Sequence, residues 1–150
     1  MILEPVAERA VELRRILALS GVQTVGWATR GVGWIAAWQA AKPDLSVVAL
    51  NLPERDGYYC LRKLRELVPD HPVIFVHDFT GFLASEMEWK ALAAGAVSVV
   101  QRPCSDSRLM ASVGRVLDQI QKQRRLKSVK VNPNAKHLEA IKSAIRKSKS

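Results

Sequence analysis

Hydrophobic positions along the chain alternate between two periods. After a very short apolar run, Met1-Ile2-Leu3, the residues Val6, Ala10, Leu13, Ile16 and Leu17 fall at helical spacing, and Ser20-Gly21 closes the segment. Residues 22–28 are β-branched or aromatic with partial alternation and read as a strand. A second helix is expected over 31–41, with Trp34, Ile35 and Trp38 on one face, until Lys42-Pro43-Asp44 breaks it. Residues 45–50 (LSVVAL) form a continuous apolar run of strand length, as expected for a strand covered on both faces. A turn over 53–57 leads to a helix over 58–67, a Pro-rich break over 69–72 and a buried strand over 73–76. Residues 83–94 read as a helix stopped by Gly95, a fitting C′ residue, and 97–100 as the fifth strand. Asp106 or Ser107 is expected to cap a last helix through residue 124, with Leu109, Val113, Val116, Leu117 and Ile120 inward.

Strands alternating with helices imply parallel strands joined by right-handed crossovers. The fold class expected is α/β: a flavodoxin-like doubly wound five-stranded parallel sheet with helices on both faces, plus a basic helical tail. The functional crevice of such a sheet lies at the carboxyl ends of its strands. That singles out the strand-ending residues Glu4, Ala49, His77 and Arg102.

The wording around these residues is informative. KPDLSVVALNLPERDGYYCLRKLRE, then HPVIFV, then ALAAGAVSVVQRP, is similar in content and order to response-regulator receiver (CheY-like) domains. Asn51, Pro53, Asp56 and Gly57 keep that family's turn after the third strand. Ala94-Gly95-Ala96 and Arg102-Pro103 keep the motifs flanking its fifth. The resemblance covers about residues 1–125. It implies an Asp nucleophile for a phosphoryl group, two acids holding Mg²⁺, a hydroxyl residue ending the fourth strand and a Lys before the Pro.

Matched position by position, the chemistry is missing. Ala49 stands at the phospho-acceptor place, Pro5 follows Glu4 where a second acid belongs, His77 replaces the hydroxyl residue and Arg102 the Lys. Val99 stands where an aromatic switch residue is common. The expectation is a degenerate phosphorylation pocket (Glu4, Pro5, Ala49, His77, Arg102) with no catalytic, cofactor-binding or metal-binding residues and no enzymatic activity. Asp56 and Asp78 read as solvated loop acids or turn caps. His77 is expected to be a hydrogen-bonded pocket residue that does not bond its neighbour Asp78, because adjacent strand residues face opposite ways. Glu4 and Arg102 could pair across the emptied pocket.

Charge adds a second part. Residues 1–120 hold 13 basic and 13 acidic side chains, whereas 121–150 hold 10 basic ones and only Glu139, so the net charge of +9 sits in the last thirty residues. The domains expected are a receiver-like part, 1–125, and a basic tail, 126–150. Asn132-Pro133 offers a helix start, and Leu138, Ile141 and Ile145 form a stripe among Lys136, Lys142, Arg146 and Lys147. The tail offers one helix where a helix-turn-helix effector needs more.

Trp34 and Trp38 are expected in the core. Trp89 lies on the α4–β5–α5 surface that receivers commonly use for contacts, and joins Val99, Lys136, Lys142, Arg146 and Lys147 as an interaction candidate. Cys60 and Cys104 lack metal-ligand spacing and suit a reducing, cytoplasmic setting. The function expected is an atypical receiver in signal transduction: a phosphorylation-independent interaction module for a signalling protein, and a homodimer through the α4–β5–α5 face. The alternative is a regulator drawn to nucleic acid or an anionic membrane by its tail, with the receiver fold as dimerisation scaffold.

Overall fold

A computed structural model describes residues 1–52, 57–130 and 143–147, with side chains described to residue 127 within the last long helix. Ten elements follow in order: β1 (Ile2–Leu3), α1 (Ala7–Leu19), β2 (Trp27–Ala28), α2 (Trp34–Ala41), β3 (Ser46–Ala49), α3 (Gly57–Leu67), β4 (Val73–His77), α4 (Gly81–Ala93), β5 (Ser98–Gln101) and α5 (Asp106–Lys130). The strands form one parallel sheet in the order β2-β1-β3-β4-β5, the doubly wound arrangement expected.

Alternation along the strands divides the core. Leu3, Val48, Val73 and Phe75 face one way and pack with Trp34 and Trp38 of α2, Cys60, Leu61 and Leu64 of α3, and Ala91 of α4. The intervening positions Ile2, Val47, Ile74, Val76 and Val100 are equally buried. By the same alternation they face α1, through Leu13, Ile16 and Leu17, and α5, through Leu109, Val113 and Val116. Gly57 lets α3 approach β3: a Cβ there would lie 2.8 Å from the Ala49 carbonyl oxygen and 3.0 Å from a Phe75 ring carbon.

Several boundaries differ from the sequence expectation. The strand expected over 22–28 pairs only at Trp27 and Ala28, because β1, its sole neighbour, is two residues long. The second helix starts at Trp34 rather than residue 31, because Gly33 takes a left-handed conformation (φ 78°) just before it. Ser105, not Asp106 or Ser107, caps α5, its hydroxyl accepting the Arg108 N–H at 3.3 Å. That helix continues past residue 124 to Lys130. By compactness the chain divides into two units, Met1–Val116 and Leu117–Ser150. No helix among the described residues is long and apolar enough to cross a membrane.

Candidate functional site

The carboxyl ends of the strands carry an ion-pair set. Glu4, directly after β1, is almost wholly buried, and its Oε2 accepts from Arg102 Nη1 at 2.9 Å. Its other carboxylate oxygen accepts the Val6 N–H at 3.2 Å, so Pro5 sits inside a short loop tied back onto Glu4. Arg102, directly after β5, reaches Asp78 Oδ2 with Nη2 at 3.2 Å, and Arg9 of α1 binds the same Asp78 oxygen. The pairing of Glu4 with Arg102 expected from sequence is therefore present. Asp78, expected as a solvated loop acid or turn cap, is instead the hinge between two arginines. The correction has a simple cause: Asp78 follows His77 at the strand end and turns to the α1 side, where Arg9 and Arg102 converge. Asp56 lies outside the described residues.

Ala49 ends β3, buried, in register with Val76 of β4. Its methyl group offers neither nucleophile nor metal ligand. Strand alternation sets Glu4, Ala49 and Arg102 on the α1 side of the sheet and His77 on the other. His77 therefore does not join the ion-pair set. Its fully buried ring accepts the Phe79 N–H at Nδ1 (3.1 Å) and meets Glu88 Oε1 with Nε2 (3.0 Å). An accepting Nδ1 leaves the proton on Nε2, which donates to the Glu88 carboxylate and ties β4 to α4. The Phe79 ring stacks on it, with centroids 5.6 Å apart. His77 is thus a hydrogen-bonded residue, apart from Asp78, as the alternation argument required.

Sequence reasoning missed Arg9 and Glu88, because neither lies in a motif. Only helical spacing, which puts Arg9 one turn before Leu13, hinted that Arg9 overhangs the strand ends. The donor set does not suit Mg²⁺, which demands oxygen ligands in near-octahedral array. Glu4 is the one acid at the end of β1, both its oxygens are engaged, and Ala49 contributes none.

Among the interaction candidates, Trp89 on α4 is 70% exposed, and Phe82 and Leu92 of the same helix are also exposed. Val99 is half-buried against the core. Arg146 and Lys147 lie in a described helical stretch with exposed side chains, whereas Lys136 and Lys142 fall outside the described residues. Cys60 is buried; Cys104 is half-buried, and desolvation pushes its thiol up.

Comparison with known proteins agrees with the fold. The response regulator receiver domain family matches residues 5–114. Protein-glutamate methylesterase/protein-glutamine glutaminase 3 of Rhodospirillum rubrum is 32% identical over 104 residues, 69% of this chain and 27% of that protein. Chemotaxis protein CheY of Thermotoga maritima is 25% identical over 116 residues, 77% of this chain and 94% of that protein. The chain thus spans about a quarter of the methylesterase relative and nearly all of the CheY relative. Among solved structures, the signal receiver domain of a signal transduction histidine kinase from Syntrophus aciditrophicus superposes with a TM-score of 0.68 at 28% identity, covering 79% of this chain and 88% of that one. With five parallel strands in receiver order and a family match over most of its first unit, the chain belongs to the response-regulator receiver family, the signalling module of two-component systems.

Proposed function

We propose that this receiver works without phosphorylation, as an interaction module in signal transduction. One observation carries the reading: Ala49 stands at the end of β3 while Arg102, at the Lys position, is already held by Glu4 and Asp78. An aspartyl phosphate needs a carboxylate nucleophile, a metal and a free cation for the phosphoryl charge. Here the nucleophile is a methyl group, and the acid and the cation neutralise each other. The strand ends are then held in one arrangement by fixed charges rather than by an incoming phosphoryl group. Contact with a partner falls to exposed apolar residues such as Trp89, on the α4–β5–α5 face, and to the tail. The test is incubation with acetyl phosphate and Mg²⁺ followed by intact-mass spectrometry. No phosphoryl adduct is expected; a stoichiometric, acid-stable, hydroxylamine-labile adduct overturns the proposal.

A second reading is supported by the exposed cations Lys122, Arg124, Arg125 and Lys127 in the second unit. They suit attraction to nucleic acid or an anionic membrane. DNA binding with a steep negative salt slope, lost on deleting 121–150, would favour it; salt-insensitive retention of a protein partner favours the first.

A further inference from the structure

The sheet has an open edge along β2. Among the described residues no strand lies beyond it, and β1 is its only neighbour. Gly26 and Ala28 turn their carbonyls inward, accepting the Ile2 and Glu4 N–H groups at 3.0 Å each. Backbone groups alternate in direction along a strand, so Val25 and Trp27 turn their N–H and C=O outward, where no ladder meets them. The strand form reaches back before β2: half-buried Val22, Thr24, Gly26 and Ala28 alternate with exposed Gln23, Val25 and Trp27.

Globular proteins guard such an edge with Lys, Pro, inward-pointing charges or a covering loop. Here residues 21–29 (GVQTVGWAT) contain no Lys, Arg, Asp, Glu or Pro. The exposed side chains beside the edge are apolar: Val25, Trp27 and Val11 of α1 lie along one groove. Trp27 is fixed there, its indole N–H donating to the Glu4 carbonyl at 2.8 Å. Arg14 of α1 is the one charged residue lining that groove, and its side chain is exposed to solvent. Gly26 sits between the two outward-facing residues. A Cβ there would meet only the Met1 side chain, at an ordinary 3.7 Å, so packing within the chain does not demand a glycine. A strand glycine of that kind fits the close approach of another backbone. An uncharged segment also meets its own copy without like-charge repulsion, and pairing about Gly26 is self-complementary.

We propose that a second copy of this chain adds to the β2 edge, antiparallel, about a two-fold axis at Gly26, so that two sheets become one. Gly26 then faces Gly26 of the second copy, with α-carbons about 4.5 Å apart. Val25 and Trp27 exchange N–H···O bonds with Trp27 and Val25 of the second copy. Trp27 is in register with Ile2 and shares its α1 side of the sheet. Each Val25 side chain therefore lies across from a Trp27 ring on that side, a β-branched–aromatic pair of the kind that stabilises strand pairing. Ala49 and Arg102 take no part, so this dimer does not depend on the phosphorylation-independent reading, and the α4 face with Trp89 stays free for another partner.

Sedimentation equilibrium of the full chain over about 10 μM to 1 mM, in about 0.3 M NaCl to screen the +9 charge of each copy, is the first test. A monomer–dimer equilibrium is expected, with Kd on the order of 100 μM for so small an interface. Val25→Pro deletes an outward N–H without touching the β1 ladder and should weaken the dimer at least about tenfold. Trp89→Ala should leave it unchanged. Register is read separately, by disulfide formation under oxidised glutathione beside the parent chain. Gly26→Cys sets the introduced thiols opposite each other and should cross-link two copies, whereas Gln23→Cys, remote from its own counterpart in this register, should not. A monomer throughout the range, a dimer indifferent to Val25→Pro, a dimer lost in Trp89→Ala, or equal cross-linking of the two cysteine variants overturns the proposal. Should Val25→Pro disturb the fold, the cysteine pair decides.

Discussion

At the residue scale, the ion pair between Glu4 and Arg102 shows how two buried charges are accommodated by joining them at the ends of β1 and β5. Glu4 is 1% exposed and the Arg102 side chain 15%, so removing either partner alone leaves a buried charge uncompensated. Arg102→Met is expected to lower the unfolding free energy by about 3–5 kcal/mol, and Glu4→Met together with Arg102→Met to recover most of it, because paired apolar groups need no compensation. Urea melts of the two single variants and the double variant complete the cycle, and an additive result would deny the coupling. His71 offers a pH signature at the amino ends of the strands. It is buried, its Nε2 faces the Ser46 hydroxyl (2.8 Å) and accepts from the Trp38 indole N–H (3.3 Å), and desolvation lowers its pKa from 6.5 to about 4. The unfolded chain therefore binds the proton first, and stability falls as pH drops from about 6.5 toward 4. Between roughly pH 8 and pH 5, His71→Gln is expected to lose about 2 kcal/mol less stability in urea melts than the parent chain, the loss from the buried N-terminal amine, whose pKa is lowered to about 6, being common to both.

At the element scale, α3 is held by the absence of a side chain. Gly57→Ala would gain at most about 1 kcal/mol of helix propensity. It would also drive a Cβ to 2.8 Å from the Ala49 carbonyl oxygen, with the Phe75 ring 3.0 Å away. Overpacking of that kind costs about 1–3 kcal/mol, so the clash outweighs propensity and the denaturation midpoint should fall. A stabilised variant would mean that α3 slides freely on β3. Arg65 of α3 adds a polar tie, its guanidinium donating to the carbonyls of His71 and Gly95 and joining α3 to the turns before β4 and β5. The shortness of β2 follows from β1, its only neighbour in the sheet, which supplies two residues for the ladder.

At the scale of the whole molecule, the tryptophans divide into two populations. Trp34 and Trp38 are core residues, whereas Trp27 is 45% and Trp89 70% exposed. Trp89→Ala is expected to change stability by less than about 0.5 kcal/mol while removing part of the acrylamide-quenchable, red-shifted emission, Trp27 supplying the rest. A large loss of stability would instead place Trp89 in the core. The sequence by itself determined the order of helices and strands, the sheet's carboxyl edge and the chemical poverty of Ala49, because these depend on local periodicity and on residue type at motif positions. The separation of a neutral chain part from a basic one was legible for the same reason. Beyond the pairing of Glu4 with Arg102, which the strand ends already suggested, only the tertiary structure decided which charges meet. Arg9 and Asp78 are 69 residues apart, and Glu4 and Arg102 are 98 apart, so their pairing arises from the crossovers that bring β1, β4 and β5 to one edge. The assignment of His77 to Glu88 and of Asp78 to the arginines was decided by strand parity together with the placement of α1 and α4 on opposite faces. A cleft beneath α1 was invisible in sequence, because Leu13, Ile16, Val76 and Leu109 become its floor only when the sheet and both helices close around it.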